Sequence, residues 1–140
     1  MARLRVVTLA LDTNVIIDAV RGRKPMVRAR FANALLAPEP VVASLIVLHE
    51  LRMGCALNRD PAGELVRVRA ALADIPIEPL DEDDVVAAAE IGASQIQRGM
   101  KIGDFDLLIA GQALARGWTL VTANLREFSR IDGLNVIDWT

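Results

Sequence analysis

The chain has 140 residues, 53% hydrophobic and 24% charged, with 16 Lys+Arg against 18 Asp+Glu. That length and balance suit one folded domain with a sizeable core and exclude a disordered tail or a collagen-like fibre. A single cysteine, Cys55, and a single histidine, His49, exclude a disulfide framework, a multi-cysteine zinc site and a paired-histidine relay.

In chain order, Arg5–Leu11 is a continuous, partly β-branched apolar run, the pattern of a strand buried on both faces. It ends at Asp12 and is too short for a secretory leader. Stretches such as Pro40–Leu48 fall far short of a membrane span, so a soluble, cytoplasmic protein without membrane contact is expected. Thr13–Arg21, apolar at Val15, Ile16 and Ala19, predicts a short helix broken by Gly22 and Pro25. Met26–Leu36 predicts a second helix, closed off by Pro38 and Pro40. Val41–Ala43 reads as a short buried strand, with Ser44 as N-cap of a helix running to about Asn58.

Pro61–Asp74 follows as a helix with proline in its first turn. Pro76–Pro79 is a brief extended piece. Asp81 caps a helix through Gly99, whose first turn holds Glu82, Asp83 and Asp84; that acidic run is expected to be a solvated helix start and not a metal site. Asp104–Arg116 is a helix ended by Gly117. Thr119–Thr122 and the marginal Asn135–Asp138 are the last strands. The alternation predicts an α/β fold, a parallel sheet flanked by helices on both faces, spanning 1–140 as a single domain. Ligands of such sheets bind beyond the carboxyl ends of the strands.

Net charge of −2 conceals an asymmetry: residues 1–70 carry 11 basic and 6 acidic side chains, residues 71–140 carry 5 and 12. All but Lys24 and Lys101 of the basic residues are arginine, whose planar fork suits phosphate. A GC-rich coding bias explains most single arginines as well. The cluster Arg21, Arg23, Lys24, Arg28, Arg30 is dense enough to stand as a nucleic-acid candidate.

Three acids stand where chemistry is expected. Asp12 follows the first buried strand, where capping of the next helix is an equally good account. Glu50 lies in an apolar stripe with Ile46, Val47, Met53 and Gly54, where an unpaired carboxylate is costly to bury. His49, without a second histidine, reads as structural. Asp106 heads an apolar line with Ile109, Ala110 and Ala113, whereas Asp104 precedes the helix as a natural cap. Carboxylates converging from separate segments make a hard oxygen site suited to Mg²⁺ or Mn²⁺, and such an ion can promote an in-line displacement at phosphate. Gly-rich phosphate loops, a GxSxG motif and a Cys–His pair are all missing from the sequence. Spacing alone supports metal-dependent phosphate chemistry and nothing narrower.

The segments Leu11–Asn14, Ser44–Gly54 and Ile102–Gly111 resemble the successive acidic motifs of PIN-domain ribonucleases. The tail, Leu120–Phe128 through Gly133–Leu134 to Asp138–Trp139, is similar to VapC toxins of bacterial toxin–antitoxin pairs. The motifs come in the family's order over essentially the whole chain.

The resemblance implies a PIN fold, a Mg²⁺-dependent endoribonuclease and inhibition by a VapB-like antitoxin. It carries the acidic roles onto Asp12 and Asp106 as principal metal ligands and onto Glu50 for metal-bound water or a second cation. It further implies that Thr13, Asn14, Ser44 and Thr122 orient those carboxylates. The Ile-Gly-x-Phe-Asp and Thr-x-Asn-x-x-Glu-Phe segments are similar to the subgroup that cuts initiator tRNA in its anticodon loop. Many PIN domains have a fourth aspartate where this chain has Asn124, which is expected to coordinate or hydrogen-bond through its carbonyl but brings no negative charge; Asp104 is expected to restore some charge nearby as a further ligand.

The exposed-looking Leu, Met and Val of Met26–Leu36 and Ser44–Asn58 add the expectation of a homodimer, assembled with antitoxin as a heterotetramer or hetero-octamer. Two rivals remain. A phosphoacceptor receiver domain needs an acid pair after its first strand and a lysine after a late one, and this chain has neither. A catalytically idle PIN domain that binds RNA or protein would not need acids at 12, 50 and 106.

Overall fold

The computed structural model describes residues 6–140. Five strands alternate with seven helices: β1 (Leu9–Leu11), α1 (Thr13–Arg21), α2 (Pro25–Leu36), β2 (Val41–Ser44), α3 (Leu45–Ala56), α4 (Pro61–Leu72), β3 (Ile77–Glu78), α5 (Glu82–Gln97), α6 (Asp104–Arg116), β4 (Thr119–Val121), α7 (Leu125–Phe128) and β5 (Asn135–Ile137). The strands form one sheet in the order β3-β2-β1-β4-β5, and every pairing is parallel. The chain steps outward from β1 to β3, then crosses back to β4. Right-handed crossovers therefore send α1–α4 and the α5–α6 pair to opposite faces. The strand order reverses between β1 and β4, and the carboxyl ends at that reversal are where such sheets bind ligands.

β1 is shorter than expected because the chain pairs only from Leu9 onward; Arg5, the first residue of the predicted strand, lies outside the described residues. Pro25 begins α2 instead of preceding it, since the missing N–H costs nothing at a first helical position. Ser44 caps α3 as expected, accepting the Ile46 N–H at 3.1 Å. α7 had no counterpart in the sequence reading, because four residues are too few to show a helical period.

The core runs from Leu11, Ile16 and Val27 through Ala43, Val47 and Leu120 to Phe128 and Trp139. Gly111 permits the close approach of α5 and α6: a Cβ there would fall 2.5 Å from the Ala88 nitrogen and 2.6 Å from its Cβ. Gly22 and Gly117 end α1 and α6 in the left-handed conformation, φ 66° and 68°, which glycine adopts without strain.

The acidic start of α5 differs from expectation. Glu82 and Asp83 are solvated, but Asp84 is buried, shares a reciprocal capping box with Asp81, and pairs with Arg116 at 2.7 Å. Burial would raise the Asp84 carboxyl, but hydrogen bonds from Arg116 and the Asp81 backbone outweigh it and hold the group below its ordinary value. Arg116 also donates to Pro79 O and lies 5.0 Å from the Trp118 ring, tying the end of α6 to the start of α5. A buried carboxylate is tolerated here because the guanidinium answers it.

Candidate active site

Asp12 leaves β1 at the reversal of strand order and is 4% exposed. Its Oδ1 accepts the Thr13 N–H at 2.9 Å and its Oδ2 accepts the Thr122 hydroxyl at 2.8 Å. The capping account of Asp12 is thus half of the truth, because the second oxygen is bound by a residue that follows β4. Thr122 also accepts the Asn124 N–H at 3.0 Å, which fixes the loop leaving β4. Burial raises the Asp12 carboxyl above its ordinary value; the Thr122 and Thr13 hydrogen bonds oppose the rise and the Glu50 charge adds to it.

Glu50 comes from α3 and is half-buried. Its Oε1 accepts the Thr13 hydroxyl at 2.7 Å, so Thr13 joins the first two acids through its backbone and its side chain. The apolar stripe inferred around Glu50 is only partly a core face: Val47 is buried, whereas Met53 and Gly54 are exposed. His49 is exposed too, so it is no core histidine. Its ring meets Phe105 of α6 edge to face, centroids 5.2 Å apart.

Asp106 enters from the first turn of α6. Its carboxyl is pushed up to about 6, first by burial and then by the charges of Asp12, Glu50 and Glu127. The three acids singled out in the sequence therefore feel one another in space. Every charge acting on Asp106 is negative.

Glu127 is the residue that the sequence reading left without a role. It sits on α7, half-buried, and accepts a hydrogen bond from Asn124 Nδ2 at 3.1 Å. The signal was an acid three residues after Asn124, one helical turn on, in a helix too short to recognise. Asn124 thus holds a glutamate in place where an aspartate was expected. Asp104 does not take that part. It is exposed at the first position of α6, whose N-cap is Gly103, and it does not figure among the charges that move Asp106. Its contribution as a cap is likewise absent, since the cap position has no side chain to offer.

Of the other predicted residues, Ser44 is buried and spent on capping α3, while Asn14 is exposed and makes no side-chain hydrogen bond among the described residues. No arginine or lysine figures among the charges that act on Asp106. Arg21 ends α1 and Arg23 and Lys24 follow it, about 13 Å of helix from Asp12 at 1.5 Å per residue, while Arg30 on α2 donates to Asp138 O at 3.3 Å, just after β5. Lys24 pairs with Asp18 at 3.1 Å, and Arg28 lies over Gly22.

Four carboxylates with mutual repulsion and only oxygen donors make a set that fits a hard divalent cation. Among the described residues no group of three or more His, Cys, Asp or Glu is arranged to hold such an ion. The chain supplies the oxygen donors and the negative charge that such an ion needs.

The PIN domain family model matches residues 9–134. The tRNA(fMet)-specific endonuclease VapC of Salmonella typhimurium is 33% identical over 129 residues, 92% of this chain and 96% of the relative. Ribonuclease VapC2 of Rickettsia felis is 30% identical over the same shares. Among solved structures, VapBC2 of Rickettsia felis bound to a promoter DNA fragment superposes with a TM-score of 0.89 at 27% identity, covering 96% of this chain and 100% of that one. DNA-bound VapBC of Salmonella typhimurium follows at 0.86 and 30% identity, with 96% and 99% covered.

Proposed function

The chain belongs to the PIN domain family, and within it stands with the VapC toxins; from that premise we propose that it is a metal-dependent endoribonuclease, the toxin of a toxin–antitoxin pair, that hydrolyses a phosphodiester bond in structured RNA. One observation carries this reading: Asp12, Glu50 and Glu127 all act on Asp106, whose carboxyl is pushed up to about 6 first by burial and then by those three charges, a concentration of negative charge that a divalent cation would balance.

Asp12 and Asp106 are the principal ligands of Mg²⁺ or Mn²⁺ in this reading. Bound there, a divalent ion would supply Lewis-acid chemistry toward phosphate oxygens and water. Thr122 and Thr13 each donate to one oxygen of Asp12 and so hold its carboxylate in one orientation. Thr13 occupies one oxygen of Glu50 and leaves the other to position a water and accept its proton. Glu127, held by Asn124, adds the charge that Asn124 itself lacks. Asp104, Asn14 and Ser44 act at most from the periphery.

Arg21, Arg23 and Arg28 are exposed and suit the backbone of an RNA extending away from the scissile bond. A precedent for a target is tRNA(fMet), which the name of the Salmonella typhimurium relative gives as its substrate. A VapB-like antitoxin is the inhibitor in this reading, placing an Arg or Lys among the carboxylates in place of the metal's charge. The exposed Met26, Leu36, Met53 and Leu57 suit a homodimer on which a heterotetramer or hetero-octamer builds. No helix of the described residues is long and apolar enough to cross a membrane, and the RNA substrate puts the work of the enzyme in the cytoplasm.

Total RNA incubated with pure protein and Mg²⁺ or Mn²⁺, with and without EDTA, tests the proposal. Discrete cleavage that EDTA stops and Asp106→Asn abolishes supports it. Intact RNA at every metal concentration overturns it.

A further inference from the structure

The chain has five Phe and Trp and no Tyr. Phe31, Phe128 and Trp139 are buried, and Trp118 lies half-buried against Arg116. Phe105 alone stays exposed, at 44%, and it is bonded in sequence to both Asp104 and Asp106. It meets the exposed ring of His49, itself the chain neighbour of Glu50. Two aromatic rings from different helices therefore touch at the point where α3 and α6 bring in their carboxylates.

We infer that His49 and Phe105 form the platform on which an unpaired RNA base stacks beside the scissile phosphate. The inference rests on the ribonuclease reading above and supplies what that reading lacks, a local grip on the substrate. Four carboxylates repel phosphate, and no arginine or lysine figures among the charges that act on Asp106. A base presents a neutral planar face, which the surrounding charge does not repel. The rings meet at 71°, so their mutual contact takes up at most one of four ring faces. The others remain for a planar group, as in single-strand recognition generally. The geometry thus favours an unpaired loop over a duplex, whose bases are stacked already.

The test uses the full chain, a fluorescein-labelled RNA hairpin with an unpaired adenine-rich loop, and the variants Phe105→Ala, Phe105→Leu, Phe105→Trp and His49→Ala. Binding is read by anisotropy in Ca²⁺, cleavage in Mg²⁺, and mass by light scattering; thermal melting confirms folding, which an exposed position should not disturb.

Phe105→Ala is expected to weaken binding and raise KM about tenfold, the size of one lost base–aromatic contact, with kcat nearly unchanged. Phe105→Trp is expected to restore both, and Phe105→Leu is not. His49→Ala should fall between them. Restoration by leucine as complete as by tryptophan would overturn the proposal, because simple apolar packing would then suffice. So would unchanged RNA binding, and a loss of dimer mass beside it would assign the rings to a protein interface. If Phe105→Ala cleaves like the parent, this inference falls alone; if the parent cleaves nothing, the ribonuclease reading falls as well.

Discussion

Thr122 reaches across 110 positions of sequence to donate a 2.8 Å hydrogen bond to Asp12 Oδ2, joining the carboxyl ends of β1 and β4 at the reversal of strand order. Thr122→Val keeps the shape and removes the donor. The Asp12 carboxyl then rises further, and the metal concentration needed for half-maximal cleavage is expected to increase about 10- to 100-fold. Thr122→Ser should recover most of the loss. A Mg²⁺ titration of RNA cleavage for the three proteins reads it directly.

Substitutions of the acids should rank by their place in the cluster. Asp12→Asn and Asp106→Asn are expected to abolish cleavage. Glu50→Gln follows, and Glu127→Gln should also cost more than Asp104→Asn. Asp104 is exposed at the first turn of α6 and outside the charges that shift Asp106, so Asp104→Asn should lower activity about tenfold at most. Rates on one RNA at saturating Mg²⁺ give the order. A dead Asp104→Asn beside an active Asp106→Asn would reverse the assignment.

The metal-free protein should lose stability as pH rises. The Asp106 carboxyl moves from 3.8 to about 6 on folding, so between those values the folded state holds the proton and the unfolded state has released it. Ionisation is therefore the destabilising step, and Asp12, also raised, acts in the same sense. Melting in EDTA is expected to fall by a few degrees between about pH 4.5 and 7. Asp106→Asn should flatten that slope, and Mg²⁺ should raise the melting point most at the upper end.

Asp84 works in the opposite direction. Its carboxyl sits below 3.8 because Arg116 and Asp81 outweigh its burial, so the stability it contributes is present above that value and is lost as pH falls further. Arg116→Leu strands a buried carboxylate and should cost about 3 kcal/mol in urea unfolding at neutral pH. The double variant Arg116→Leu/Asp84→Leu should recover much of it. Cleavage should change little, since this pair lies at the far end of α6 from Asp106.

Gly111→Ala would place a methyl inside the α5–α6 contact, 2.5 Å from the Ala88 nitrogen. Overpacking of that kind costs about 1–3 kcal/mol. Thermal melting should drop accordingly, and activity should suffer only if α6 shifts enough to move Asp106.

The sequence by itself determined the order of strands and helices apart from the four-residue α7, because strand runs, caps and Gly or Pro breaks are local properties of a few adjacent residues. Ser44, Gly117 and the α6 boundaries were legible for that reason. It also determined which acids to suspect, since Asp12, Glu50 and Asp106 each stand at the end of a strand or on an otherwise apolar line. Tertiary structure alone decided which of them meet.

Glu127 joins the cluster because β4 lies beside β1, and no local pattern records that neighbour relation. Asp84 and Arg116 pair across 32 positions for the same reason, so an acidic helix start that looked solvated turned out to hold a buried ion pair. His49, read as structural from the sequence, is exposed, and its contact with Phe105 exists only because α3 meets α6. Side-chain periodicity reports which face of a helix is apolar, but exposure depends on whether another element covers that face, and only packing supplies the answer.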